Sequence, residues 1–322
     1  MNNMSILHNR ISNKELKERM IRDNGSRITL SFYKYFNIED TKAFRDLLWT
    51  GLTNLKVFGR IYIANEGINA QISVPTPLYE SMRNYIYSLD KCLYKVHMNC
   101  SLEENTKAFW VLRVKIRANI VADGISDKNF NFDYNHVGTY IKAHTVNAMF
   151  KDPNVLFVDM RNSYEYEIGH FTNALKISAN TFRDQLAVLI NKLKEYKNKK
   201  IVLYCTGGIR CEKATAWMIY NGFKKVYHIE GGIIEYVRCA REHKLPVYFH
   251  GKMFVFDERM SERISDEIIS NCYQCYCICD RQVNCINNKC HVLFIQCNKC
   301  AETYNNCCSK LCKENLYKYK FV

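Results

Sequence analysis

The 322-residue sequence predicts an α/β protein of three parts, and three observations carry that prediction. The first part shows strand and helix signals in the order βαββαβ. The middle part repeats short buried strands and amphipathic helices. The last part gathers eleven of the sixteen cysteines between Cys272 and Cys312. Residues 1–125 are therefore read as a ferredoxin-like α+β sandwich, 126–144 as a linker, 145–245 as a parallel-sheet α/β domain, and 246–322 as a cysteine-rich module.

In the first part, residues 27–36 are rich in β-branched and aromatic side chains and read as a strand. Asp40 is placed to cap a helix whose apolar face carries Phe44, Leu47, Leu48 and Leu52. Residues 56–64 and 68–74 form two strands around Asn65-Glu66-Gly67, a hairpin turn signal. Pro75 and Pro77 interrupt the pattern, residues 79–89 are helical, and 109–116 alternate as a further strand. Arg113, Lys115 and Arg117 beside Phe109 and Trp110 suit either RNA or a solvated strand face, with the solvated face favoured.

In the middle part, residues 155–158 are a short buried strand followed by Asp159-Met160-Arg161, a structural pair. Glu165, Gly169 and His170 lead into a strand at 174–177, with His170 positioning the turn. A helix spans about 181–195. Residues 201–204 are a buried strand, and 226–229 another that enters Glu230-Gly231-Gly232 and a helix. Repeated βα units predict a parallel sheet with helices on both faces and a ligand site at the strands' carboxyl ends.

Cys205 falls at such an end. Thr206, Gly207, Gly208, Ile209 and Arg210 follow it, and Ala214, Trp217 and Met218 write a helix that stops near Asn221-Gly222. The glycines let the backbone curl with its amides inward. The helix N-terminus and Arg210 add positive potential, so the loop cradles an anion and holds Cys205 as a thiolate nucleophile. Four residues between Cys205 and Arg210 make a ring suited to a cysteine-borne sulfur; a phosphate-cleaving loop is typically one residue longer. Cys211 is read as a first-turn residue pointing away, in preference to a resolving thiol.

In the last part, residues 254–256 suggest a strand and 266–270 a short helix. Cys272-x2-Cys275 and Cys297-x2-Cys300 have the spacing of paired zinc knuckles. Cys277, Cys279, Cys285, Cys290, Cys307, Cys308 and Cys312 suffice for a second site, with His291 nearby. So small a segment needs a staple to fold, and structural zinc is the leading expectation, ahead of an iron–sulfur cluster, disulfides or free thiols; spacing does not fix which four cysteines share a metal.

The net charge is +14, distributed as +6 over 1–144, +6 over 145–245 and +2 over 246–322. A spread positive field suits a polyanion such as RNA, although a Lys- and Asn-rich composition also raises it without any binding purpose. The first twenty residues carry His8, Arg10, Lys14, Glu15, Lys17, Glu18 and Arg19 and do not resemble a secretory signal. No stretch of 18 apolar residues occurs, so the expectation is a cytoplasmic, reduced protein with no membrane partner.

Asp159-x-Arg161, Glu165, Gly169-His170, Ala174, the Cys205–Arg210 loop and Glu230-Gly231-Gly232 together resemble the rhodanese family of sulfurtransferases. The wider chain is more closely similar to the bacterial rhodanese-domain tRNA uridine(34) hydroxylases. Matching stretches are His8–Ser12, Ser31–Phe36, Phe58–Arg60, Glu66–Gln71, Asn147–Met149, Cys205–Lys213, His228–Tyr236 and Phe256–Met260.

The resemblance implies an acylphosphatase-like first domain without that activity, and a rhodanese middle domain. It implies oxygen-dependent formation of 5-hydroxyuridine at the wobble position of tRNA, with molecular oxygen and an unidentified electron donor. Cys205 then matches the essential cysteine, carrying a persulfide from a sulfur donor, and Thr206 to Arg210 match the anion-cradling loop. Cys277 departs from the usual cysteine spacing, and the sequence ends soon after Cys312 where relatives often continue into a basic tail. Two other readings stand beside this one: a sulfurtransferase moving sulfane sulfur through Cys205, and a non-enzymatic RNA-binding scaffold.

Overall fold

Strand β1 (Arg27–Tyr35) alternates its side chains between two environments, as a half-buried strand must. Leu30 and Phe32 enter the core of the first domain, whereas Ser31, Tyr33 and Tyr35 lie on the opposite face, toward the second domain. In the computed structural model, which describes residues 11–22, 25–103 and 108–318, this strand is the seam of the molecule. Residues 8–10 of the His8–Ser12 stretch lie outside the described residues.

A helix α1 (Asn13–Arg22) precedes β1, and α2 (Thr41–Asn54) follows it. Asp40 caps α2, its carboxylate accepting from the N–H groups of Lys42 and Ala43 at 3.0 and 2.9 Å. Leu48 and Leu52 are buried and Phe44 packs against them, but Leu47, expected on the same face, is 53% exposed. Then come β2 (Phe58–Ala64), β3 (Gly67–Pro75), α3 (Tyr79–Leu89), β4 (Asn99–Cys100) and β5 (Leu112–Ile116).

The sheet order is β4-β1-β3-β2-β5. The first four positions are those of a ferredoxin-like sheet, but the place beside β1 belongs to the two-residue β4. Strand β5, expected there, adds parallel to β2 at the far edge instead. The extra strand is β4, whose two residues are too few to show an alternating pattern.

The second domain contains β6 (Thr139–Ile141), α4 (Ala143–Phe150), β7 (Val155–Asp159), α5 (Ser163–Ile168), β8 (Gly169–Phe171), β9 (Leu175–Lys176) and α6 (Phe182–Leu193). It continues through β10 (Lys200–Tyr204), α7 (Ile209–Tyr220), β11 (Val226–Ile229) and α8 (Gly232–Glu242). Its sheet, in the order β6-β11-β10-β7-β9, is parallel throughout. Strand β10 reads as an unbroken apolar run because both faces are covered. Val202 and Tyr204 pack with α4 and α8, and Ile201 and Leu203 pack with α6 and α7. Strand β6 lies inside residues 126–144, read above as linker, and pairs with β11; three residues are too few to show a period.

In the third part, β12 (Phe249–Phe254) pairs antiparallel with both β8 and β13 (Ser261–Arg263), so the module is hydrogen-bonded onto the second domain. A hairpin of β14 (Gln282–Asn284) and β15 (Leu293–Ile295) follows, then α9 (Asn298–Tyr304) and α10 (Lys310–Lys318). The helix expected over 266–270 is absent. Ser270 exchanges hydrogen bonds with Cys279 through its backbone and hydroxyl, which holds that end extended.

Domain geometry is fixed by a buried cation. Lys213 on α7, its side chain 3% exposed, reaches Glu66 of the β2–β3 turn at 2.8 Å and pairs with Asp123 beyond β5. Glu66 also accepts from the Ile120 N–H at 2.7 Å. Lys213→Met leaves the buried Asp123 carboxylate uncompensated, and we expect a loss of about 3 kcal/mol in urea unfolding. An unchanged midpoint contradicts this account.

Candidate active site

The Cys205 site is built by three loops that meet at the carboxyl ends of the parallel strands. Cys205 follows β10 directly, and its Sγ accepts from the Gly208 N–H at 3.1 Å. Gly208 has φ +103° and caps α7. A Cβ there would lie 2.8 Å from the Tyr33 hydroxyl of β1, so both conformation and space require glycine. Gly232 in the Glu230-Gly231-Gly232 turn has φ +68°, and a Cβ on it would collide with the carbonyls of Cys205 and Thr206. The Ile233 N–H donates to the Cys205 carbonyl at 3.0 Å, so this turn buttresses the loop from behind.

Burial alone pushes the Cys205 thiol up, but the Cys211 thiol, the Arg210 charge and the N–H groups of Gly208 and Arg210 overcome it. Together they bring the thiol down to about 6, so the sulfur is largely thiolate at neutral pH. Cys211 lies in the same buried cluster as Cys205 and acts on it, contrary to the expectation that it points away; its own thiol is pushed up by burial and by the Cys205 thiolate. We expect Cys211→Ala to raise the Cys205 pKa above 6, read as a shift in the pH midpoint of iodoacetamide alkylation. An unmoved midpoint overturns that role.

Arg210 is held from one side by Glu165, which sequence reading treated only as part of a motif. The guanidinium meets the carboxylate through two nitrogens at 2.6 and 2.9 Å, and Glu165 is fully buried. The same carboxylate accepts from the Asn162 N–H at 3.0 Å as part of a capping box on α5. Thr206 Oγ1 donates to Glu165 at 3.3 Å and accepts from Arg210 at 3.2 Å. The one sequence signal that could have found this arrangement is the Asn162-x2-Glu165 spacing, which is that of a capping box. Asp159 and Arg161 form the expected buried pair at 2.6 Å, and His170 stacks on Tyr166 and bonds its carbonyl at 2.9 Å.

The remaining loop residues face the first domain. Gly207 lies opposite Asn99 and Ser31, and Ile209 packs near Tyr35, whose hydroxyl donates to its carbonyl at 3.2 Å. The Tyr33 hydroxyl donates to Glu212 at 2.7 Å. Asn99 donates to the Gly231 carbonyl at 3.2 Å.

These contacts leave a cavity of about 780 Å³ between the domains, with Cys205 in its wall. The first domain contributes Arg60, Tyr62, Asn69 and Phe109, and the second contributes Arg183 and Arg210. Phe256 and Arg259 come from the segment after β12. Arg60 donates to the Phe256 carbonyl, and the Arg210 guanidinium lies 5.8 Å from the Phe256 ring centroid. Exposed Arg117 lies over the Tyr62 ring at 5.7 Å. The cavity is thus apolar and aromatic at its walls, with amides and cations distributed around a thiolate. Of Arg113, Lys115 and Arg117, only Arg117 lines it, and Phe109 faces inward.

Cys272, Cys275, Cys297 and Cys300 converge, their sulfurs all within 4.8 Å of one another. Cys275 and Cys297 sulfurs are 3.6 Å apart, and the Cys300 N–H donates to Cys297 Sγ at 3.4 Å. A tetrahedral zinc with bonds of about 2.3 Å holds its sulfurs roughly 3.8 Å apart, so this donor set fits that ion. Cys277 borders the set, 3.4 Å from Cys275. No helix among the described residues is long and apolar enough to cross a membrane.

Comparison with known proteins follows the same three-part division. Residues 27–120 match the UPF0176 acylphosphatase like domain, 142–239 the rhodanese-like domain, and 250–313 the rhodanase C-terminal region. A protein of Erwinia tasmaniensis named tRNA uridine(34) hydroxylase is 61% identical over 313 residues, which cover 97% of this chain and 89% of that one. An Escherichia coli protein of the same name is 59% identical over 309 residues, covering 96% and 88%. One from Hamiltonella defensa is 56% identical over 313 residues, covering 97% and 88%. With that identity held over at least 96% of its length, the chain belongs to the tRNA uridine(34) hydroxylase family.

Proposed function

We propose that this protein hydroxylates C5 of uridine 34 in tRNA, with Cys205 as nucleophile and the interdomain cavity as the pocket for the nucleotide. The observation that carries this reading is a depressed-pKa cysteine in the wall of an aromatic, arginine-lined cavity large enough for a nucleotide. A wobble base leaves its stack at little energetic cost, and single-stranded bases are read by stacking and by amide hydrogen bonds. Phe256 and Phe109 offer the stacking faces, Asn69 and Asn99 the amides, and Arg60, Arg117 and Arg183 the partners for flanking phosphates.

The chemistry follows from the electron demand of uracil. Cys205 Sγ, or a sulfur it carries as a persulfide from a sulfur donor, adds to C6, and the ring electron pair moves to C5 as an enolate. C5 takes up one oxygen atom derived from O2. Its proton then leaves, the sulfur–C6 bond returns its pair to sulfur, and the 5,6 double bond re-forms. The sum is uridine, O2, two electrons and two protons giving 5-hydroxyuridine and water, with the electrons from a donor outside this chain. The loop amides and Arg210 hold the sulfur anionic before attack and receive it afterwards. Zinc on Cys272, Cys275, Cys297 and Cys300 has a structural part in this proposal: it fixes the turn whose Tyr273 hydroxyl donates to Glu167 of α5, the helix that also carries Glu165.

Nucleoside mass spectrometry on tRNA from an aerobic strain lacking the protein tests the proposal. Complementation with wild type restores 5-hydroxyuridine or its derivatives, and Cys205→Ala does not. If neither changes the modification, sulfur transfer becomes the leading account. Phe256→Ala is expected to raise KM for tRNA about tenfold with kcat little changed, in keeping with roughly 1–3 kcal/mol per stacked base. An unaltered KM removes Phe256 from the pocket.

A further inference from the structure

A second quartet of cysteines lies beyond the one with knuckle spacing. The sulfurs of Cys285, Cys290, Cys308 and Cys312 also lie within 4.8 Å of one another. They come from three separate pieces of chain: the β14–β15 hairpin, the loop after α9, and α10. We propose that this quartet binds its own zinc ion, so that the C-terminal module is a two-metal unit whose second metal fastens α10 to the hairpin.

Three features point to a mononuclear site. Cys290 and Cys308 sulfurs are 3.6 Å apart and Cys308 and Cys312 sulfurs 3.5 Å, close to the roughly 3.8 Å edge of a zinc tetrathiolate tetrahedron. Disulfides would instead draw the four together in pairs, each pair about 2 Å apart. A cubane iron–sulfur cluster is also a poor fit, because each cysteine binds a different iron and the sulfurs stand wider apart. In addition, the Cys308 N–H donates to Cys285 Sγ at 3.4 Å, the same N–H to sulfur bond that Cys300 makes to Cys297 in the first quartet.

Packing supplies the need for such an ion. The buried core here is Cys285, Phe294 and Cys307, with Val283, Cys308, Cys312 and Leu316 against it. That is too little apolar surface to hold a hairpin and a nine-residue helix together in water. Polar ties to α10 are few: Asn287 donates to the Cys312 carbonyl at 3.3 Å, and Lys313 to the Thr303 carbonyl at 2.7 Å. An all-thiolate tetrahedral donor set selects zinc over harder cations. Cys277, Cys279 and Cys307 fall in neither quartet, nor does His291, so four of the seven leftover cysteines converge.

Metal analysis of the full-length protein, purified without chelator, tests the proposal together with cobalt titration. The expected content is two zinc per chain, with the thiolate-to-cobalt band of the zinc-stripped protein rising linearly to two equivalents. Cys285→Ser with Cys308→Ser is expected to retain one zinc, and Cys272→Ser with Cys297→Ser to retain the other. Should those variants misfold, wild-type footprinting with N-ethylmaleimide gives the same answer: Cys285, Cys290, Cys308 and Cys312 stay unmodified until a chelator is added. One zinc in the wild type, with those four cysteines alkylated at once or found as disulfides, overturns the proposal. Iron at the second quartet overturns the choice of metal.

Discussion

Cys205→Ser lowers the rate of 5-hydroxyuridine formation by on the order of 10³-fold or more, measured by nucleoside mass spectrometry on purified tRNA. The substitution keeps the side chain's shape but replaces a thiolate with a hydroxyl that stays neutral at working pH. The Gly208 N–H, 3.1 Å from the sulfur, then has no anion to stabilise. Activity within tenfold of wild type would show that the sulfur takes no part in the chemistry.

The same depressed pKa makes a pH statement. Wild-type alkylation at Cys205 should follow a thiolate titration with a midpoint at about pH 6, rising with pH. Because the folded pKa lies below the unfolded one, the group stabilises the fold at high pH. That contribution is complete above the unfolded thiol range near about 8.5 and is lost as pH falls through about 6. A midpoint near the free-thiol value would mean that Arg210 and the loop amides do not act on the sulfur.

Glu165→Gln has the second large effect, and it falls first on stability. The substitution leaves the Arg210 guanidinium, its side chain 8% exposed, without its carboxylate in a buried setting. Loss of one partner from such a pair costs about 3–5 kcal/mol, readable as a lower urea midpoint with an unchanged slope. Arg210→Met alone should cost a similar amount, because it strands the Glu165 charge. Combining Arg210→Met with Glu165→Leu removes both charges and should recover most of the stability. The double variant still lacks the cation beside Cys205, so its alkylation midpoint should sit above 6 and its hydroxylation should stay low. Recovery of stability together with full activity would reduce Arg210 to a structural residue.

How much of this was legible in the sequence depends on the range of the interaction. The strand, loop and helix around Cys205 span some twenty consecutive residues, and an apolar run, two glycines and a helical period announce them without reference to the rest of the chain. Asp40 as a cap and the Asn65-Glu66-Gly67 turn are equally local. The first cysteine quartet is legible because each half is a Cys-x2-Cys knuckle. The second is spaced irregularly, and only folding brings Cys285 to Cys308 and Cys312.

Misreadings share the opposite property. Leu47 fits the helical period but falls on the exposed side of α2, since the stripe that meets the sheet is narrower than the apolar pattern. Residues 266–270 carry helix-compatible composition, yet backbone pairing with Cys279 holds the end of that segment extended. Cys211 was judged by its place in the first turn of a helix, whereas the packing of α7 on the sheet buries it in one cluster with Cys205.

The sequence by itself determined the chemistry: a thiolate-forming cysteine, a helix-capped loop beside an arginine, and a thiolate-rich module suited to metal. Short-range geometry dictates each of these, since a few φ and ψ angles and one helix terminus suffice to build an anion cradle. Only the tertiary structure decided what that cradle faces. Tyr33, Ser31 and Asn99 close over the loop from strands β1 and β4 over a hundred residues earlier, and Phe256 arrives from a third segment fifty residues later. Such contacts leave no period in the chain, because they are selected by the packing of whole domains, anchored here by Lys213 between Glu66 and Asp123.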